Sequence, residues 1–152
     1  MKEKVIGIIF FILGVGMLIG IWMWLSSDIE KREQKSQPYL TEKVVEALNQ
    51  GDFNAAYGAI DKMKAQIYYK EENKEEIDKL NDRIVQNEIA SIMDEYEGKK
   101  AYGKIIFVIN ERTVGSNKAA IIKTALNMSE SSGDEELYDK LLEYQSESSG
   151  EE

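Results

Sequence analysis

The apolar positions form one continuous run near the start of the chain and then helically spaced groups. From Val5 to Leu25 the chain has 21 residues without a charge. At about 1.5 Å per residue, a helix of this length covers the roughly 30 Å hydrocarbon core of a bilayer. A cleavable secretory signal is the alternative, but its apolar region is about 7–15 residues long and small residues follow it. The pattern therefore predicts a short tail over residues 1–4 and a retained transmembrane helix over residues 5–25.

Four residues of this run suggest specific membrane roles. Trp22 and Trp24 fall at one end of the predicted span, where an indole ring keeps its N–H at the headgroups. Gly16 and Gly20 have the small-xxx-small spacing that lets two membrane helices pack closely, although glycine is also tolerated in lipid without that role. The predicted partners are therefore the lipid bilayer and, through Gly16 and Gly20, a second copy in a homodimer.

The orientation of the predicted span is set by its flanks. Lysines lie on both sides of the run, so the basic residues alone do not decide the topology. A four-residue tail before the first apolar run usually stays in the cytoplasm while the following domain is exported. The chain is therefore predicted to be a single-pass, signal-anchored membrane protein with its N-terminus inside and its domain extracytoplasmic.

Beyond the run, the pattern predicts an all-α domain over residues 38–145. Residues 26–37 are polar and precede the only proline, Pro38, which indicates a juxtamembrane linker or a helical extension of the anchor. After them, apolar residues recur every three or four positions, which is typical of helices. The expected fold is six helices in three hairpins, either a small hairpin array or an irregular bundle, followed by a disordered acidic tail over residues 146–152.

Residues 105–109 are ambiguous in secondary structure. Ile105, Ile106, Phe107, Val108 and Ile109 are mostly β-branched, so their sequence fits a strand as well as a helix. A single strand has no sheet to join in an otherwise helical chain, and we therefore expect a buried helix.

One segment resembles a known repeat. Gly51, Phe53 and Ala56 follow one another as the glycine, aromatic and small residues do in the middle of a tetratricopeptide repeat (TPR). The likeness covers about one repeat, residues 39–67, and no second copy begins about 34 residues later, where Val85 lies inside a predicted helix. The resemblance implies a helical hairpin and a protein-binding scaffold.

The chemical repertoire of the chain is narrow. Its 152 residues include no Cys and no His, which excludes thiolate and imidazole metal sites and nucleophiles that depend on them. Gly98 and Gly103-Lys104 have the spacing of a phosphate-binding loop, but Ile105 stands where a hydroxyl is needed. Carboxylates are numerous and interleaved with lysines, as on solvated helices. We therefore expect no catalytic, cofactor-binding or metal-binding residues, and no enzyme.

Charge and aromatic residues suggest the kind of partner. Residues 129–152 hold nine acidic residues and one basic residue, net −8, whereas residues 37–128 hold 15 acidic and 13 basic residues, net −2. The acidic balance makes nucleic acid an unsuitable partner. Tyr39, Tyr68 and Tyr69 lie near predicted helix ends, where rings with polar tips suit a protein interface; packing in the core or in a turn is the alternative.

The predicted function is a membrane-tethered helical protein-binding or scaffold module of an envelope-associated assembly. The alternative is a regulatory or sensory membrane subunit with a cytoplasm-facing helical domain.

Overall fold

The computed structural model describes the backbone of residues 2–66, 71–113 and 117–149. The side chains of residues 2–18 lie outside the description, as do those of Glu30, Glu33, Gln34, Gln37, Glu71, Glu72 and Ser149. The described chain contains six α-helices and confirms the all-α class. They are α1 (Lys2–Gln50), α2 (Phe53–Lys64), α3 (Glu71–Glu95), α4 (Gly98–Arg112), α5 (Lys118–Ser132) and α6 (Glu135–Ser149).

The helices pair in chain order as three hairpins. The end of α1 packs on α2, α3 packs on α4, and α5 packs on α6. The hairpins are joined by contacts of α2 with α3, of α3 with α5 and of α4 with α6. Residues 105–109 belong to α4, where Ile105, Val108 and Ile109 are buried, so this stretch is a helix rather than a strand. Helix α6 continues to Ser149, past the start of the predicted tail.

The membrane prediction needs correction. Residues 5–25 lie in α1, a continuous helix that also contains residues 26–37 and Pro38. Within the described part of the chain, no helix is both long and apolar enough to cross a membrane. Residues 5–18 of the predicted span lie outside the described side chains.

This finding contradicts the transmembrane helix in the predicted fold and the single-pass, extracytoplasmic location. The class that the described residues support is all-α without a membrane-spanning element.

The first hairpin turns at a glycine–aspartate pair. Gly51 has a φ of 70°, a left-handed conformation that glycine adopts without a steric penalty. The N–H groups of Gly51 and Asp52 donate to the carbonyls of Leu48 and Ala47 at 3.1 and 2.9 Å, which closes the end of α1 as a Schellman motif. The Asp52 carboxylate then accepts from the N–H of Ala55 at 2.9 Å and caps α2.

The third hairpin repeats this turn and adds a contact between hairpins. Gly133 has a φ of 76°, and Asp134 Oδ1 accepts from the N–H of Leu137 at 3.0 Å, which caps α6. The other carboxylate oxygen, Oδ2, accepts from the N–H of Gly98 at 2.7 Å. One aspartate therefore fixes the start of α6 and the start of α4 together.

Gly98 also has a left-handed backbone that favours glycine. Its φ is 50°, and a Cβ at this position would run into the Glu136 carboxyl group, whose Cδ would lie 3.0 Å away. Gly103, in the same helix, has open space around a Cβ and an ordinary helical backbone. The two glycines of α4 therefore differ in what they tolerate.

We predict that Gly98→Ala lowers the free energy of unfolding by about 2 kcal/mol, because a left-handed backbone costs an L-residue roughly 1–2 kcal/mol before any clash is counted. The control Gly103→Ala should raise it by roughly 0.5–1 kcal/mol, as replacing a helical glycine usually does. Urea unfolding monitored by circular dichroism measures both. Equal effects of the two substitutions would contradict the structure around Gly98.

A second prediction compares the two capping aspartates. Asp134→Asn should cost about 1–2 kcal/mol, because the amide keeps one acceptor oxygen and turns an N–H₂ group toward one of the two backbone N–H groups that Asp134 serves. Asp52→Asn should cost only a few tenths of a kcal/mol, because Asp52 caps one N–H and asparagine caps equally well. The measurement is the same unfolding curve, and a tolerated Asp134→Asn would exclude the double contact.

Candidate functional site: the end groove of the first hairpin

The end groove is a cleft between the last turns of α1 and the outward side of α2. Its volume is about 520 Å³. Its floor consists of small residues and one leucine, namely Leu40, Ala47, Ala55, Gly58 and Ala59. Its rim consists of Tyr39, Lys43, Glu46, Gln50 and Lys62.

The groove stays open because α2 carries almost no side-chain volume on this side. Ala55, Gly58, Ala59 and Lys62 follow one another at steps of three, one and three residues, which places them along one side of the helix. A Cβ built at Gly58 would meet nothing within 4 Å. Lys62 is the one long side chain among these four residues, and Ala55, Gly58 and Ala59 leave the space against α1 open.

The opposite side of α2 is held against the rest of the fold. The Tyr57 hydroxyl donates to Glu88 Oε2 on α3 at 2.7 Å, and the Arg112 guanidinium lies 4.5 Å from the centre of the same ring. Burial, followed by the bond to Glu88, raises the pKa of Tyr57 well above its ordinary value, so the hydroxyl remains a donor. Helix α2 therefore has one side fixed to α3 and the other side in the groove.

The rim carries charges of both signs, with an excess of positive charge. The Lys43 ammonium lies 4.8 Å from the centre of the Tyr39 ring, and a hydrogen bond with Tyr39 raises the pKa of Lys43. Lys62 is exposed on α2. Glu46 accepts a hydrogen bond from Gln50 Nε2 at 3.3 Å and is the rim's one acidic residue.

A second, smaller cleft lies at the turn between α5 and α6. Its volume is about 320 Å³, and its lining includes Glu130, Asp134, Glu135, Tyr138 and Asp139. In the described residues, no group of three or more carboxylates is arranged to hold a metal ion. One turn beyond Tyr138, Leu142 is 45% exposed.

The polar cluster between α3 and the start of α5 has a structural role. Asn81 is buried and donates to the Arg112 carbonyl at 2.7 Å, and Asp82 Oδ2 accepts from Asn117 Nδ2 at 2.6 Å. Burial raises the pKa of Asp82. These bonds join α3 to the ends of α4 and α5.

The residues of the TPR-like segment are brought together in the hairpin that carries the groove. Gly51 forms its turn, Phe53 is half-buried at the start of α2, and Ala56 is fully buried between the helices. Tyr39, predicted as a partner contact, lies on the groove rim and is 56% exposed. Tyr68 and Tyr69 lie outside the described residues.

The residues with predicted membrane roles are not brought together into a site. Trp22 and Trp24 are 70% and 69% exposed on α1, and a Cβ at Gly20 would meet nothing within 4 Å. Gly16 lies outside the described side chains. Their predicted membrane roles depended on a membrane span, which no helix of the described residues provides.

The sequence reasoning missed the groove itself. Ala55, Gly58 and Ala59 were not singled out, because only Ala56 matches the repeat pattern. The signal that could have found them is the row of small residues on one side of a short helix.

Comparisons with known proteins give no relative. No protein-family model, no curated protein and no solved structure matches the chain. The TPR-like reading of residues 39–67 therefore stays a prediction.

Proposed function

We propose that the chain is a protein-binding scaffold module whose end groove receives a helical segment of another protein. The observation that carries this proposal is the open groove of about 520 Å³ on a hairpin that is otherwise packed. The TPR resemblance supports it, because Gly51, Phe53 and Ala56 belong to the same hairpin and that family's hairpins generally bind proteins.

A helix is the partner that suits this shape. Two antiparallel helices leave a furrow between them, and a third helix packs into such a furrow through its side-chain ridges. The small residues Ala55, Gly58 and Ala59 allow that helix to approach closely. Tyr39 on the rim offers a ring with a polar tip, of the kind enriched where interfaces gain most of their energy.

The charges of the rim define the preferred partner further. Lys43 and Lys62 stand on opposite helices, one on each side of the groove. A helical segment with apolar residues on one side and acidic residues at its edges would place carboxylates near these two ammonium groups. Such rim pairs contribute more to specificity and association rate than to affinity.

The groove can be tested by filling it. Helical peptides selected from a display library on the full chain should bind at least about tenfold more weakly to Gly58→Trp, because the indole occupies the space of the ligand. The matched control is Gly103→Trp, since both glycines are helical and have open space around a Cβ. Titration calorimetry measures the dissociation constants, and circular dichroism verifies that both variants are folded.

Two results would contradict the proposal. One is a selection that enriches no helical peptide. The other is a set of peptides that bind Gly58→Trp and Gly103→Trp equally well.

A further inference from the structure

We propose that the partner in the end groove is the α5–α6 end of a second copy of this chain, so that copies associate head to tail. This inference rests on the proposed function, because it names the occupant of the same groove. The head is defined as the end groove with Lys43 and Lys62. The tail is defined as the outer surface of the last hairpin with Glu130, Glu135, Tyr138, Asp139 and Leu142.

The order of the hairpins leaves two uncovered surfaces. Helix α2 covers α3, and α3 and α4 cover α5 and α6. In the described part of the chain, no further helix packs on the groove side of the first hairpin or on the outer side of the last hairpin. These are the surfaces that would meet if the array continued from one copy into the next, and uncapped ends of repeat arrays tend to find such neighbours.

The two ends have opposite charge. The head rim carries Lys43 and Lys62 against one acid, whereas the tail cleft is lined by four acids, Glu130, Asp134, Glu135 and Asp139. Both wider regions are acidic, with net −8 in residues 129–152 and net −2 in residues 37–128, so the opposite charges are those of the head rim and the tail cleft themselves. Head-to-tail contact therefore joins opposite charges, while tail-to-tail contact is repelled.

The shapes are complementary as well. Tyr138 and Leu142 are four residues apart on α6, which places them on the same side of the helix as a short apolar ridge. Leu142 is 45% exposed and is therefore available for contact. The head offers a floor of small residues, including Gly58 and Ala59, against which such a ridge packs.

A head-to-tail contact uses two different surfaces of the same chain. It therefore does not close at two copies and builds a ring or an open filament. Because charged rims contribute to it, association should weaken as the salt concentration rises.

The experiment uses charge reversal in the full chain, with sedimentation velocity as the readout. A non-ionic detergent is present so that the exposed residues Ile19–Leu25 do not drive association. Wild type should form oligomers whose mass grows with concentration and falls at high salt. The head variant Lys43→Glu/Lys62→Glu and the tail variant Glu130→Lys/Glu135→Lys/Asp139→Lys should each associate at least about tenfold more weakly.

The decisive result is rescue. An equimolar mixture of the head and tail variants should associate again, because an acidic head then meets a basic tail and a basic head meets an acidic tail. A single chain that carries all five substitutions should also self-associate. The control Lys74→Glu/Lys123→Glu makes the same change in net charge as the head variant, at exposed lysines outside the groove, and should behave as wild type.

Three results would overturn the inference: monomeric wild type at every soluble concentration, variants that associate as wild type does, or a mixture that stays monomeric. None of them by itself refutes the groove as a binding site. Peptide binding that Gly58→Trp abolishes, in a chain that stays monomeric, would leave the proposed function standing and remove only the second copy as partner.

Discussion

The left-handed turn at Gly51 is the constraint on which the rest of this account depends. It ends α1, and the cap from Asp52 starts α2 immediately afterwards, so α2 must run back along the last turns of α1. Tyr57 then fixes one side of α2 to α3 through Glu88, which leaves the side with Ala55 and Gly58 outward. The end groove is the consequence of one tight turn and one row of small residues.

The sequence predicted the helical class and the hairpin order because both depend on local signals. Apolar spacing every three or four residues marks helices, and Gly51-Asp52 marks a turn in any context. The secondary structure of residues 105–109 was predicted from the rest of the chain rather than from their own sequence. Because no other strand is available to pair with them, their β-branched side chains pack in a helix. The membrane span was a hydropathy inference, and in the described residues no helix meets the length and apolarity that it requires.

The site was harder to predict, because it is defined by missing volume and by contacts between distant residues. Gly58 is unremarkable in sequence, and its role appears only when α1 stands beside it. Asp134 caps α6, and its bond to Gly98, 36 residues away, depends on how the hairpins pack. Of the predicted contact residues, Tyr39 is the one that the structure describes, and it lies on the groove rim.

Hydrogen exchange of the dilute full chain tests the central claim most directly, namely that packing of α2 on the end of α1 forms the groove before any partner binds. We predict that the backbone amides of Leu40–Gln50 and Phe53–Lys64 exchange about 100-fold or more slowly than those of residues 19–35, because these two segments share buried contacts. Residues 19–35 of α1, whose described apolar side chains are exposed, should exchange much faster. Exchange in α2 as fast as in residues 19–35 would contradict the preformed groove.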